Sequence, residues 1–247
     1  MRNVKLTIEY DGTAYHGWQI QSNARTIQGV LQEKIGLMTG ERISLIGAGR
    51  TDAGVHALGQ VANFKTDCPL SLGVIAHGLN SLIPDDIAIR EVEEVEGDFH
   101  ARFSAKSKLY EYRILNRPTS SPFQRDFTWH VSERLDVEDM RKAARCLVGT
   151  HDFSSFRAAQ SDNVNPVRTL MALEIKRGRD HRIIVRMRAN AFLKQMVRNV
   201  VGTLVDVGKR RLHPDGLRGI LDARDRTKAG MTAPPQGLFL IEVEYPS

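Results

Sequence analysis

Asp52 and Arg50 lie two residues apart in "GAGRTDAGVHALGQVANF", residues 47–64. A carboxylate and a guanidinium in so glycine-rich a stretch admit three chemistries: a cofactor-binding turn, a metal site, or a catalytic loop that grips a polyanion. The dinucleotide fingerprint wants Gly or Ala three residues after its second glycine, opening a helix. Here that position is Asp52, which a pyrophosphate would repel, and the following "ALGQVANF" reads as a strand. A metal site could draw on Asp52 and His56, with Asp11 and His16. Those are few ligands for a hard cation or for zinc, and an arginine sits among them. In the third reading, Gly47, Gly49 and Gly54 permit positive φ and close approach of a ligand. Asp52 then projects from a turn after a strand. Against it stands the ordinary habit of Asp in such turns, bonding its own backbone. The loop alone does not separate these last two.

A second chemistry-bearing stretch is "NAFLKQMVRNVVGTLVDVG", residues 190–208. On a helical wheel Phe192, Met196, Val197, Val200, Val201 and Leu204 form a buried face, and Lys194, Gln195, Asn199 and Asp206 a polar one. Arg198 falls at the border, where its stem can lie on apolar surface and its fork can meet a partner.

These side chains need elements to carry them. Val4, Leu6, Ile8 and Tyr10 alternate with polar residues, predicting a half-buried strand. Thr26 caps a predicted helix through Ile27, Val30, Leu31, Ile35 and Met38, closed by Gly40. "RISLIGA" reads as a strand entering the glycine loop, "GQVANFKT" as the next, and Ser71 opens a helix through Leu82. "DIAIREV" and residues 106–115 are strands, the latter with Tyr110, Tyr112 and Ile114 on one face. Asp136 caps a helix ending at Gly149. "TLMALEIK", "RGRD" and "HRIIVRMRA" form a hairpin that puts Arg186 and Arg188 on one face. A helix runs from Ala191 to Val207, Pro214 suits the first turn of another, and "GLFLIEVEY" is the last strand. Mixed elements without strict βαβ alternation predict an α+β fold of mainly antiparallel sheet with helices on one face. Residues 115–126 and 157–168 are the polar loops expected to move.

The charge is divided. Residues 1–100 carry 8 Lys and Arg against 13 Asp and Glu; residues 101–247 carry 27 against 16. A basic half beside an acidic one predicts a polyanionic partner on the former. No run approaches the roughly 20 apolar residues of a membrane helix. Two distant cysteines predict neither a disulfide framework nor a zinc cluster. With no export signal read, the expected address is cytoplasmic.

The chain resembles the tRNA pseudouridine synthases of the TruA type. The resemblance rests on "YDGTAYHGWQ" (10–19), "GAGRTDAGVHALGQV" (47–61), "FHARFSAKSKLYEYRI" (99–114), "HDFSSF" (151–156), residues 190–208 and "GLFLIEVEYP" (237–246). One departure is Leu109, where some members carry Arg or Lys; Lys108 stands one residue earlier, on the face of Tyr110. The resemblance implies two domains, 1–105 carrying the Asp loop and 106–247 basic, sharing a continuous sheet with the active-site cleft between them. It implies isomerisation of uridine to pseudouridine at tRNA positions 38 to 40, in the anticodon stem-loop, by a homodimer needing no cofactor and no metal. It implies Asp52 as the catalytic carboxylate and Tyr110 stacking on the target base. Arg198 pairs with Asp52, Leu238 lines the pocket, with Val61 a further apolar wall, and Arg50 holds the flipped nucleotide. Arg157, Arg168, Arg186, Arg188, Lys209, Arg210 and Arg211 are the candidate phosphate contacts. The alternative is a non-catalytic tRNA-binding paralogue; a metal-dependent hydrolase is a third reading.

Overall fold

The alternation that predicts the first strand is realised in burial: Val4, Leu6, Ile8 and Tyr10 are at most 3% exposed, while Lys5, Thr7 and Glu9 between them are half-exposed. A computed structural model describes residues 1–158 and 165–246. In chain order its elements are β1 (Arg2–Tyr10), α1 (Ile27–Thr39), β2 (Ile46–Gly47), β3 (His56–Thr66), α2 (Leu72–Leu82), β4 (Ile87–Val95), β5 (Ser107–Asn116) and β6 (Trp129–Val131). Then follow α3 (Val137–Ala144), β7 (Gly149–Asp152), β8 (Val167–Arg177), β9 (Arg182–Ala189), α4 (Met196–Gly208), α5 (Gly216–Ala223) and β10 (Leu238–Glu244). No helix among the described residues is long and apolar enough to cross a membrane.

The α+β chain forms two units: Met1–Lys106 with Phe239–Ser247, and Ser107–Leu238. Residues 239–247, assigned by the sequence reading to the C-terminal half, thus cluster with the first unit. In that unit β1 lies between β4 and β3, antiparallel to both. The short β2 adds to β3 antiparallel, and β10 parallel, with Phe239 opposite His56 and Leu240 opposite Ala57. Helices α1 and α2 bury Ile27, Leu31, Ile35, Ile75 and Leu79. Their expected caps are present, Thr26 and Ser71 each accepting from a backbone N–H of the first turn.

In the second unit β9 pairs with β5 and β8, β7 extends β8, and β6 runs parallel along β5. Asp136 caps α3 through bonds from Glu138 N and Asp139 N, but the α-helix gives way to a 3₁₀ turn at Arg145–Leu147. Across the β5–β9 ladder Glu111 sits opposite Arg186. It accepts from Arg186 Nε and Arg113 Nε, each at 2.8 Å. Burial opposes ionisation of Glu111, but the two arginines outweigh it and hold its carboxyl below the usual range. A depressed folded-state pKa contributes stability that is present above the unfolded value and lost as pH falls through the folded one. Thermal unfolding of Glu111→Gln is therefore expected to depend less on pH below 4.5, the reference value of this carboxyl; equal slopes would contradict the pairing.

Four local expectations are corrected. The "RISLIGA" strand shrinks to Ile46–Gly47. The backbone of Leu45 bonds instead to side chains of α1, accepting from Gln28 Nε2 at 2.8 Å and donating to Gln32 Oε1 at 3.2 Å. The helix expected from Ala191 begins at Met196, because Gln195 takes a left-handed φ of 62° and cannot continue a helix. Phe192, Lys194 and Gln195 therefore precede it. Asn199, expected on its polar face, is wholly buried. Pro214 lies just before α5, whose N-cap is Asp215. Of the loop 157–168, residues 159–164 lie outside the described residues.

Candidate active site

The Asp52 loop joins β2 to β3, and its backbone is fastened on both sides. Ala48 N donates to Val61 O at 2.7 Å, and Gln60 Nε2 to Gly49 O at 2.9 Å. Thr51 is gripped twice: its Oγ1 lies 2.8 Å from the Tyr10 hydroxyl, and its carbonyl accepts from Trp18 N at 3.0 Å. Val55 N closes a tight turn onto Asp52 O at 3.1 Å. Burial pushes the Tyr10 phenol up to about 12, so it stays a neutral hydrogen-bonding group near pH 7. Of the three glycines read as conformationally special, only Gly54 has a positive φ, 74°. Gly47 is required for another reason: a Cβ there would lie 2.5 Å from the Trp18 indole. Asp52 itself is half-buried, in a frame that fixes the backbone from which its carboxylate projects.

Arg50 is exposed on the same loop, its Nε donating to Gln19 Oε1 at 3.1 Å. His56 lies under the loop, stacked on Phe239 with centroids 4.6 Å apart. Its Nδ1 is 3.1 Å from both Gly12 N and Asp11 Oδ1. The two outermost residues of the metal reading, Asp11 and His56, therefore meet; His56 is 1% exposed.

The second unit holds Tyr110, Arg198 and Leu238. Tyr110, on β5, is 7% exposed and meets Phe192 edge-on at 5.0 Å. Arg198 stands in the first turn of α4, half-buried, as the border position predicts. It is reciprocally bonded to one residue: its Nε donates to Ala233 O at 2.7 Å, and Ala233 N donates to its carbonyl at 3.1 Å. One residue on, Pro234 O accepts from the Tyr112 hydroxyl at 2.7 Å. Burial drives the Tyr112 phenol far above its ordinary value, opposed in part by the nearby Arg198 charge. Leu238, 6% exposed, follows that segment and opens β10.

That segment, residues 226–234, is a strap laid along α4. Asn199 Oδ1 accepts from Thr232 Oγ1 at 2.7 Å and Arg226 Nη2 at 3.1 Å, and its amide donates to Phe156 O at 2.8 Å. Thr203 Oγ1 accepts from Gly230 N at 2.9 Å. The strap is why Asn199 is buried. Sequence reasoning missed Tyr112, Phe192, Asn199, Arg226 and the Ala233–Pro234 carbonyls as supports. The one available signal was "TAPPQG", a rigid double-proline stretch before a strand.

The basic candidates are distributed unevenly. Arg186 is engaged by Glu111, and Arg188 Nη1 donates to Ser107 Oγ at 3.1 Å. Arg168 is turned to backbone carbonyls of Asn165 and Val167, and Arg157 follows a 3₁₀ turn at Ser154–Phe156. Lys209 and Arg211 pair with Glu133, at 2.5 and 3.1 Å, and Arg210 with Asp136 at 3.0 Å. Glu133 and Arg210 stand largely in solvent, where such pairs are worth little.

An anchored acidic loop in one α+β unit and a strapped, half-buried arginine beside aromatic rings in a basic α+β unit define a candidate catalytic protein for an anionic substrate. A family model described as tRNA pseudouridine synthase matches residues 6–104 and 143–246, and the chain belongs to that family. It is 52% identical over 245 residues to the tRNA pseudouridine synthase A of a Thermoanaerobacter species, covering 99% of this chain and 100% of that one. The proteins of the same name from Acetivibrio thermocellus and Geotalea uraniireducens are 49% and 46% identical, each covering 99% of this chain and 100% of theirs.

Proposed function

We propose that the protein isomerises uridine to pseudouridine at positions 38 to 40 of the tRNA anticodon stem-loop, acting in the cytoplasm as a homodimer. The observation that carries the reading is the Asp52 loop, fastened at Ala48, Gly49, Thr51 and Val55 inside the region matched to the family. A carboxylate that acts on a nucleoside must be placed accurately, and a preset backbone supplies that.

The N1–C1′ bond breaks, the uracil turns, and C5 joins C1′; the C5 proton leaves and N1 gains one. Nothing is oxidised or reduced. Asp52 is the catalytic carboxylate, steadied by Arg198. The target base leaves its stack at a cost of a few kcal/mol. Stacking on Tyr110 returns about 1–3 kcal/mol. Leu238 and Val61 are the apolar walls that keep the detached base from water, and Arg50 holds the everted nucleotide. Arg157, Arg168, Arg186, Arg188, Lys209, Arg210 and Arg211 are proposed to meet phosphates, so that the fold reads shape rather than sequence.

Incubation with tRNA transcribed with uridine tritiated at C5 tests the reading. Tritium release with pseudouridine at 38 to 40 is expected; binding without release would make the chain the non-catalytic paralogue. Loss of release with a chelator would instead point to a metal-dependent reaction. Binding is also expected to weaken roughly 100-fold or more for a fourfold rise in salt, if about five phosphates are neutralised. Nitrocellulose filter binding would read this, and a flat profile would contradict the phosphate contacts.

A further inference from the structure

At the C-terminal end of β5 the second unit contains a hollow of about 410 Å³ lined by Arg117, Arg134, Arg177 and His181, with Asn116 and Ser132. No carboxylate among the described residues lines it. The acidic residues nearest in sequence are already engaged: Glu133 by Lys209 and Arg211, Asp136 by Arg210, and Asp180 by Arg182. Three guanidiniums thus converge with no counter-charge of their own.

Two of the three lining guanidiniums are held in place yet keep donors to give. Arg177 spends one N–H on Leu135 O at 2.9 Å. Arg117 uses one edge of its fork on Thr119 O and Ser120 O, at 2.8 and 3.0 Å. Arg134 is exposed and makes no side-chain hydrogen bond or ion pair among the described residues. His181 is presented by the β8–β9 turn, in which Asp180 and His181 both take left-handed φ, 54° and 60°. Arg182 N donates to Arg179 O at 3.1 Å across this pair, which closes the tight turn that two left-handed residues give a hairpin. The same end of the unit carries Lys209, Arg210 and Arg211, tied through Glu133 and Asp136 to the 132–136 loop that also supplies Arg134.

We propose that this hollow is a second RNA-binding site, taking a backbone phosphodiester of the tRNA outside the anticodon stem-loop. It rests on the proposed tRNA substrate. Arginine forks match a phosphate bidentately, and the absence of a lining carboxylate removes the competitor that a phosphate would have to displace. Position decides which part of the RNA is met. Asn116 lies six residues along β5 from Tyr110, roughly 20 Å at about 3.3 Å per residue. With the short stem laid along β5, that distance runs past its end, and the hollow meets a more distant segment of the same RNA.

The test compares Arg134→Glu and Arg177→Ala with the unsubstituted chain, by fluorescence anisotropy on two RNAs: full-length tRNA and the isolated anticodon stem-loop. Either variant is expected to weaken full-length tRNA binding about 10-fold and to lower the slope of log K against log salt by about 1. Binding of the stem-loop should be unchanged, and Arg134→Lys should retain most of the affinity. Equal loss on both RNAs, or no loss on either, overturns the proposal. If the unsubstituted chain binds no tRNA, it is the proposed function that fails, before any variant is compared.

Discussion

Asp52→Ala is expected to remove pseudouridine formation, by about 10³-fold or more, while leaving tRNA affinity within a few-fold. The magnitude follows from what the group does. A carboxylate that acts only as bonds at C1′ rearrange contributes to the transition state and little to ground-state binding, so kcat falls and KM stays. In the proposed function, affinity comes from the arginines and lysines of the second unit and from stacking on Tyr110, neither of which needs Asp52. The variant should fold: Asp52 is half-buried, and the loop is anchored through backbone groups and through Thr51, Gln60 and Tyr10. Single-turnover assays with binding measured on the same RNA would separate the two quantities. Loss of affinity in proportion to loss of rate would assign Asp52 to the frame and not to the chemistry. Undiminished product would end the proposed mechanism.

Gly202→Ala should be the most damaging single-methyl change in the second unit. A Cβ at Gly202 would stand 1.7 Å from Met231 O, a backbone atom that cannot swing aside. Either α4 or the strap must retreat by more than an ångström. Overpacking of this kind costs about 1–3 kcal/mol. Straining the Arg226–Asn199–Thr232 bonds adds to that, so a total of about 2–4 kcal/mol is expected. For a chain of this length the unfolding midpoint should fall by roughly 5–15 °C. Activity should fall further than stability alone explains, because Met231 leads directly to the Ala233 carbonyl that holds Arg198 Nε. The control is Gly219→Ala, in α5, where a Cβ meets nothing within 4 Å. That change should stabilise by about 0.5–1 kcal/mol without altering turnover. A Gly202→Ala protein with normal melting and normal kcat would show that the strap is looser than its hydrogen bonds indicate.

The elements that were legible in sequence are those whose own residues decide them. Thr26, Ser71 and Asp136 cap the helices they were expected to cap, and the 167–189 hairpin and the alternating β1 and β5 follow from period-two patterning. What was not legible depends on residues far away. The 43–45 stretch looks like strand, yet Gln28 and Gln32 of α1 take its backbone bonds. Asn199 looks exposed until a segment some thirty residues later covers it. The Asp52 loop was visible as chemistry because its residue types are unusual together; Tyr10, whose phenol fastens it, was read as a strand residue, and Trp18, whose backbone N–H holds Thr51, only as part of a motif. The hollow at Arg117, Arg134, Arg177 and His181 is drawn from three separate stretches, each an ordinary surface sequence when read alone.

The placement of β10 bears on how the chain is made. Its residues pair with β3, Phe239 with His56 and Leu240 with Ala57, and Ile241 O sits 2.4 Å from where a Cβ at Gly59 would be. The first unit is therefore closed by a strand that leaves the ribosome after the whole of Ser107–Leu238 has been synthesised. Until then this side of β3, next to His56 and the Asp52 loop, waits without its neighbour, so the nascent acidic half stays incomplete while the basic half matures. Stalled translation just before residue 239 should thus release a protein with a finished second unit and an open edge in the first, a species prone to aggregation.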